Sequence, residues 1–328
     1  MNVLVTGGAG YIGSHAVLAL RDAGYSLTVI DNLTTGHRAA VPEDVPFFHG
    51  DIEDAGLLAH IFKSHAIKAV MHFAGSIIVP ESVENPLKYY YNNTAKSRTL
   101  IEAAVMHGVA HIIFSSSAAT YGVPEMKRVS EECPQVPINP YGWSKLMTEQ
   151  MLADTAHAHA MNFCVLRYFN VAGADPAGRS GQSTAGATHL IKVAVEAALG
   201  KRDGVAVYGT DYDTPDGTGV RDYIHVSDLA KAHVDALEAL IANPRSSLRL
   251  NCGYGRGFSV MEVLDAVDRV TGGSLIRKFA PRRLGDPGCL VADNTRILAT
   301  LNWTPVYANL DTIVRHALAW EKRLSATN

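Results

Sequence analysis

The chain opens on a short apolar, β-branched run, Asn2-Val3-Leu4-Val5-Thr6, which stops at glycines. A helical apolar pattern then begins at Tyr11-Ile12 and continues through Val17, Leu18 and Leu20. A short apolar run closed by turn residues reads as a buried strand, and apolar positions three to four apart read as a helix. Residues 26–30 repeat the strand signal and close with Asp31; residues 45–49 give a third strand, followed by Gly50-Asp51-Ile52. Residues 68–73 read as the next strand, ending in Ala74-Gly75, and a helix is expected from about 86 to 107. The strand at 111–115 runs into Ser115-Ser116-Ser117. Pro140, after Asn139 as a cap, starts a helix that carries Tyr141 and Lys145, since proline suits the first helical position. A strand at 163–168 comes next and ends in Phe169-Asn170-Val171-Ala172-Gly173. Strands alternating with helices predict an α/β fold, a doubly wound parallel Rossmann-type sheet.

From about residue 174 the pattern changes. A Gly- and Ser-rich loop at 178–186 precedes a helix at 190–199, and the stretch from Tyr208 to Gly219 is too rich in turn residues for a core. We expect residues 1–173 to form a dinucleotide-binding domain, with segments around 220–255 returning to it. Residues 174–328 should form mainly a smaller C-terminal α/β lobe. A length of 328 residues suits two lobes better than one small core.

Charge and composition narrow the function classes. A formal net charge of −3 gives no reason to invoke nucleic acid or an anionic membrane. No apolar run approaches the ~20 residues of a membrane helix. The strand at residue 2 leaves no room for a signal peptide, and Cys133, Cys164, Cys252 and Cys289 lack CxxC spacing. Thiols in a reducing compartment, hence a cytoplasmic protein, are expected. Of the 14 histidines, His157 and His159 stand two apart on different helix faces, His225 sits in a strand-like segment without a second ligand nearby, and no HExxH occurs. No metal site is expected.

The glycines carry the first chemical signal. Gly8, Gly10 and Gly13 fit the dinucleotide fingerprint between a strand and a helix; such glycines let the backbone turn sharply and approach a pyrophosphate held by the free amides of the helix N-terminus. Asp31, eighteen residues after Gly13, closes the second strand. A carboxylate there accepts from both hydroxyls of an adenosine ribose and repels a 2′-phosphate, which favours NAD over NADP. The second signal is Tyr141 and Lys145, one helical turn apart on the same face. A phenol with a reference pKa near ~10 is a poor base, and a neighbouring ammonium is expected to favour its phenolate. Ligands bind at the carboxyl ends of such strands, so Ala74-Gly75, Ser115–Ser117 and Phe169-Asn170 should open onto one crevice with the glycine loop. Arg221 and Arg283 suit a diphosphate, because guanidinium forks pair with phosphate oxygens, although either also reads as a solvated surface charge.

Nearly end to end, the sequence resembles the UDP-galactose 4-epimerases (UDP-glucose 4-epimerases) of the extended short-chain dehydrogenase/reductase family. The blocks that carry the resemblance are Val5 to His15, including Gly7-x-x-Gly10-x-x-Gly13, Ile30-Asp31-Asn32-Leu33, Met71 to Gly75, Phe114 to Ala118, Asn139 to Gly142, Arg167 to Asn170, and Asp216 to Val226. The resemblance implies tightly bound NAD, reversible oxidation at C4 of a UDP-sugar, and a C-terminal lobe that binds the sugar nucleotide. It gives Tyr141 as base, Lys145 as the lysine on the nicotinamide ribose, and Ser117 as hydrogen-bond partner of the 4-hydroxyl. Gly7, Gly10, Tyr11, Ile12 and Gly13 then belong to the cofactor loop, Asp31 and Asn32 to the adenosine ribose, and Asp51 and Ile52 to adenine. Phe73, Ala74, Gly75, Asn93, Ser115 and Phe169 line the cofactor, with Phe169 also on the sugar pocket. Asn170, Arg221 and Arg283 are implied at the diphosphate, Asp286 at the uridine ribose, His189, Leu190 and Tyr208 at the uridine wall, and Leu290 at the far side of the sugar.

Three positions depart from the family pattern. Ile77 stands where many members have a cofactor-contacting lysine, His189 replaces an asparagine, and Leu290, beside Cys289, replaces a tyrosine or a smaller residue. Specificity for another UDP-sugar, the N-acetylhexosamine or the xylose/arabinose pair, is the alternative. A 4,6-dehydratase needs an acid and a base after the catalytic hydroxyl, and Ala118-Ala119-Thr120 supplies neither. A non-catalytic NAD-binding regulator could dispense with Ser117, Tyr141 and Lys145, all present here. A homodimer through a four-helix bundle is also implied, from helices 86–107 and 141–160 with apolar Leu100, Ile101, Val105, Leu146, Met147, Met151 and Leu152.

Overall fold

The computed structural model describes residues 1–126, 128–283 and 286–327. The N-terminal part runs β1 (Asn2–Thr6), α1 (Tyr11–Asp22), β2 (Ser26–Asp31), β3 (Phe47–His49), α2 (Ala55–Ser64) and β4 (Ile67–His72). It continues with α3 (Val79–Glu84), α4 (Pro86–Tyr89), a π-helical turn (Tyr90–Ala95), α5 (Lys96–Met106), β5 (His111–Ser117), β6 (Arg128–Val129), α6 (Pro140–Ala158) and β7 (Asn162–Tyr168). Then come β8 (Asn170–Ala172), α7 (Leu190–Ala198), β9 (Val205–Tyr208), β10 (Val220–His225), α8 (Val226–Ala242) and β11 (Leu248–Cys252). The chain closes with β12 (Gly257–Ser259), α9 (Val260–Thr271), β13 (Arg277–Ala280), β14 (Cys289–Ala292), α10 (Thr295–Thr300) and α11 (Leu310–Thr327).

Seven strands form one parallel sheet in the order β11-β7-β5-β4-β1-β2-β3. Alternate side chains of each strand enter different cores: Val3, Val5, Met71 and Ile113 join α1 and α8 on one face, while Leu4, Val70, Ile112 and Phe114 join α2, α5 and α6 on the other. Burial on both faces explains why these strands read as continuous apolar runs. β11 extends the sheet beside β7, and α8 packs against α1, so the chain returns to the sheet after residue 220.

A third core, with Ile191, Val195, Val207, Tyr223, Val263 and Ile313, lies under α7, α9 and α11. There β10 pairs with β8, β12 and β14, β14 pairs with β6, and β9 pairs with β13. No helix among the described residues is long and apolar enough to cross a membrane.

The expected helix at 86–107 departs from regularity. The Asn85 side chain accepts from Lys88 N at 3.4 Å and starts α4 afresh after α3, and the six residues from Tyr90 form the π turn before α5 resumes. One extra residue in a turn rotates the rest of the helix about its axis, and such turns concentrate at functional sites; here Asn93 is brought inside. The serines also differ from expectation: Ser115–Ser117 are the last residues of β5, paired with Leu166–Tyr168 of β7.

Candidate active site

β1 ends at a loop whose backbone is drawn tight. Gly7 adopts φ +70°, and a Cβ there would lie 2.7 Å from Ala74 N, so only glycine lets the loop touch the end of β4. Gly10 caps α1 without any side-chain hydrogen bond, and no acidic residue occupies the first turn. The amides of Tyr11, Ile12 and Gly13 therefore keep the open, positive end of α1 that suits an anion. The Asp31 carboxylate accepts from Ala9 N at 2.9 Å and from Leu33 N at 2.8 Å, which fixes it beside the loop. Asn32 Nδ2 donates to Asp51 Oδ2 at 2.9 Å. Ile52 is buried in the sheet core, and Phe73 packs its ring 4.7 Å from that of His233. The glycine-lined anion cradle and the carboxylate beside it fit a dinucleotide.

The catalytic candidates meet at the carboxyl end of β5. Asn139 Oδ1 accepts from Gly142 N at 2.9 Å, capping α6 so that Tyr141 and Lys145 enter in its first two turns. Lys145 Nζ donates to the Ser115 carbonyl at 2.8 Å and stands 5.9 Å from the Tyr141 ring centroid. The Ser117 side chain lies close enough to the Tyr141 hydroxyl to favour its phenolate. The buried Asn93 donates to the Ser76 carbonyl and to Ser144 Oγ, each at 3.0 Å. A Cβ on Gly75 would sit 3.0 Å from Asn93 Oδ1 and 3.8 Å from Lys145 Nζ.

The electrostatics differ from the sequence expectation in one respect. Burial raises the Tyr141 pKa above its usual value, with only the Ser117 side chain opposing it. Burial also lowers Lys145 to about 8, against the support of Glu149. Desolvation of both groups thus works against the phenolate that the neighbouring ammonium was expected to favour.

On the far side, Leu290 pairs in register with Arg221 of β10. Leu290 and Phe169 both pack against Ala118, Tyr121, Val129 and Cys133, the cluster just beyond Ser117. Asn170 of β8 pairs in register with Tyr223 of β10. Arg221 is ion-paired with Asp286 and also donates to the Val220 carbonyl at 2.8 Å. The Arg283 guanidinium stacks 3.8 Å from the Tyr208 ring centroid.

These two pairings were not legible in the sequence, where each partner reads as addressing a ligand separately. His189 caps α7 and turns its ring to Gln182, whose Nε2 donates to Nδ1 at 2.9 Å, with Leu190 partly buried behind it. The ring thus bonds Gln182 and not Tyr208 or Arg221. Ile77 is half exposed. Sequence reasoning also missed a buried charged cluster, Glu149 and Arg167. A charge inside the apolar strand run Phe163 to Tyr168 was the available signal, since a buried charge must be paired.

The sequence also holds an HxxxH spacing that the metal reading missed, His107 and His111. It spans the junction of α5 and β5, and the two rings bond Ala103 O and Asn162 Oδ1 respectively. Among the described residues no group of three or more His, Cys, Asp or Glu side chains is arranged to hold a metal ion.

Comparison with known proteins agrees with this geometry. Residues 3–253 match the model of the NAD dependent epimerase/dehydratase family. The chain is 58% identical to the UDP-glucose 4-epimerase of Azospirillum brasilense, over 98% of this chain and 92% of that one. The crystal structure of UDP-glucose 4-epimerase from Brucella ovis in complex with NAD superposes with a TM-score of 0.94 at 47% identity, covering 97% of each chain. The UDP-Glc/GlcNAc 4-epimerase of Campylobacter jejuni gives a TM-score of 0.86 at 46% identity, over 98% of this chain and 99% of that one.

Proposed function

This chain belongs to the NAD dependent epimerase/dehydratase family, and we propose from that premise that it interconverts UDP-galactose and UDP-glucose with bound NAD. The observation that carries the reading is the junction at the end of β5. Tyr141 stands next to Ser117 and is followed one turn later by Lys145, whose ammonium reaches the Gly75 turn that the glycine loop touches through Ala74. No carboxylate comes directly after Ser117, so the site lacks the acid–base pair a dehydratase would place there.

NAD, when bound, would supply a reversible hydride acceptor for C4 of the sugar. The chain's own residues do the rest. Gly7, Gly10 and the α1 amides hold the pyrophosphate, and Asp31 takes the adenosine ribose hydroxyls. Tyr141 accepts the 4-hydroxyl proton as hydride leaves and gives it back on return, acting as general base and then acid. Ser117 orients that hydroxyl, while Lys145 keeps a positive charge next to the phenol.

Arg221 and Arg283 hold the diphosphate, and Asp286 exchanges its ion pair with Arg221 for contact with the uridine ribose. The 4-keto sugar keeps few polar contacts of its own. It can therefore turn over between Ser117 and the apolar wall of Phe169 and Leu290 while its nucleotide stays anchored.

The assembly we infer is a homodimer, formed through the exposed face of α6 together with α4 and the π-helical turn before α5. The support is an apolar strip left outside the monomer core, with Leu87, Tyr91, Trp143 and Met147 exposed.

Incubation of the purified protein with UDP-galactose, monitored by NMR, should show UDP-glucose accumulating to a fixed ratio without added NAD. An otherwise folded, NAD-loaded protein that leaves UDP-galactose unchanged would reject the proposal. Faster conversion of UDP-N-acetylgalactosamine in the same assay would move the reading to the N-acetylhexosamine pair.

A further inference from the structure

One buried charged cluster next to the catalytic groups is not used by this mechanism. Glu149 stands one helical turn beyond Lys145 on α6, and both its carboxylate and the Arg167 guanidinium of β7 are buried. Arg167 donates from Nε to Oε1 at 3.0 Å and from Nη2 to Oε2 at 2.6 Å. Ser116 Oγ donates to the same carboxylate. From the other side of the guanidinium, Nη1 donates to Tyr121 Oη at 2.9 Å, and that hydroxyl donates to Asn251 Oδ1 at 2.7 Å.

A buried ion pair is weak evidence for stability, because desolvating two charges offsets most of their attraction. What this pair does instead is tie three elements together beneath the reacting groups. Side chains alternate across a strand, so Ser116 faces Glu149 while its neighbours serve the site. The carbonyl of Ser115 receives the Lys145 ammonium, and the side chain of Ser117 meets Tyr141.

We propose that Glu149 is a positioning residue for the reaction: through Ser116 and Arg167 its carboxylate fixes α6 against β5 and β7, holding Lys145 at the Ser115 carbonyl and Tyr141 at Ser117. The inference rests on the 4-epimerase reading above. Its charge has a second consequence. The groups that face Lys145 are Tyr141 and Glu149 on its own helix and His72 on β4; the Arg167 guanidinium of β7 lies beyond Glu149, and Tyr168 of β7 is reached through Ser115. Burial, together with the Lys145 charge, lowers His72 to about 3, and burial raises both phenols. All three are neutral near pH 7. Glu149 is then the anion that sustains the buried ammonium, against a desolvation that has already lowered it to about 8.

Steady-state kinetics on UDP-galactose as a function of pH, with NAD-loaded wild type, Glu149→Gln, Ser116→Ala and Glu149→Asp, test this. Glu149→Gln should lose kcat by about tenfold or more, as for a small misplacement of reacting groups, with KM within about twofold. Its alkaline limb should move to lower pH, because Lys145 gives up its proton sooner. Ser116→Ala keeps the charge and cuts the tether, so kcat should fall with the limb unmoved; Glu149→Asp should restore the limb and only part of kcat.

Normal kcat and an unmoved limb in Glu149→Gln, with nothing changed but thermal stability, would overturn the proposal. If that variant does not fold, normal kcat and KM in Ser116→Ala would overturn it alone. A folded wild type inactive on UDP-galactose is a different result: it removes the activity reading and this inference with it.

Discussion

The environment of Tyr141 favours the phenol over the phenolate. Burial raises its pKa, and the Ser117 side chain only offsets part of that. Proton removal therefore depends on positive charge near the ring, from Lys145 at 5.9 Å and from the cationic nicotinamide that NAD would supply when bound. Replacing Tyr141 with Phe keeps the aromatic packing and removes the proton carrier. We expect turnover to fall by ~10² or more, as for loss of a general base, while thermal stability and bound NAD stay near wild type. Near-normal turnover on UDP-galactose in Tyr141→Phe would show that another group is the base. This part of the site was legible in the sequence because its geometry is local: one helical turn sets the Tyr141–Lys145 spacing, and one strand end carries Ser117. The pairings of Arg221 with Asp286 and of Arg283 with Tyr208 were not. A sequence displays a charge, but its partner lies across a fold the charge does not encode.

At the scale of elements, the strands of the large sheet were readable because each is buried on both faces and bounded by turn residues. Strands of two to four residues, such as β6, β8 and β12, carry no period and exist through their neighbours. Helical spacing likewise could not distinguish the π turn before α5 from a regular helix, although that turn is what brings Asn93 to Ser144. The dimer expectation needs a correction of detail for the same reason. Leu100, Ile101 and Leu152 face the sheet core, whereas Trp143 and Met147 of α6 and Leu87 and Tyr91 before α5 are exposed. Contiguous apolar exposure on adjacent helical segments favours association with a matching face. Light scattering at micromolar concentration should give twice the 35.2 kDa of the chain, and Met147→Glu together with Leu87→Glu should shift it toward the monomer. A wild-type mass of 35.2 kDa at that concentration would rule out the dimer.

Among the described residues, burial strongly lowers the pKa of His15, His72, His225 and His233, and this sets how the molecule should respond to acid. Burial lowers His15 and His233 to about 4 and His72 and His225 to about 3, from an ordinary value of 6.5. His15, His72 and His225 sit around the nucleotide loop and its neighbouring strands, and His233 packs on Phe73. A histidine whose folded pKa is depressed contributes stability above pH 6.5. That stability is lost as pH falls toward the folded value, because the unfolded chain binds protons the folded chain refuses. Two carboxyls work in the opposite sense, Asp222 and Asp235, the latter raised by burial against the support of Lys231. Burial raises Asp222 to about 6, despite the amides of Tyr254 and Gly255 on its carboxylate, so it takes up a proton in the fold first and gains stability on acidification. Each pKa unit is worth about 1.4 kcal/mol, and four imidazoles lowered to about 3 or 4 from 6.5 outweigh Asp222, raised to about 6 from 3.8, together with Asp235. The thermal midpoint should therefore fall steadily from pH 7 to pH 4.5. His233→Gln, which can keep the bond to the Leu229 carbonyl, should flatten the slope, and Asp222→Asn should steepen it. Melts at saturating NAD keep ligand stabilisation constant across the series. A midpoint that holds level or rises between pH 7 and pH 4.5 would mean that these imidazoles are hydrated in the fold and titrate as they do in water.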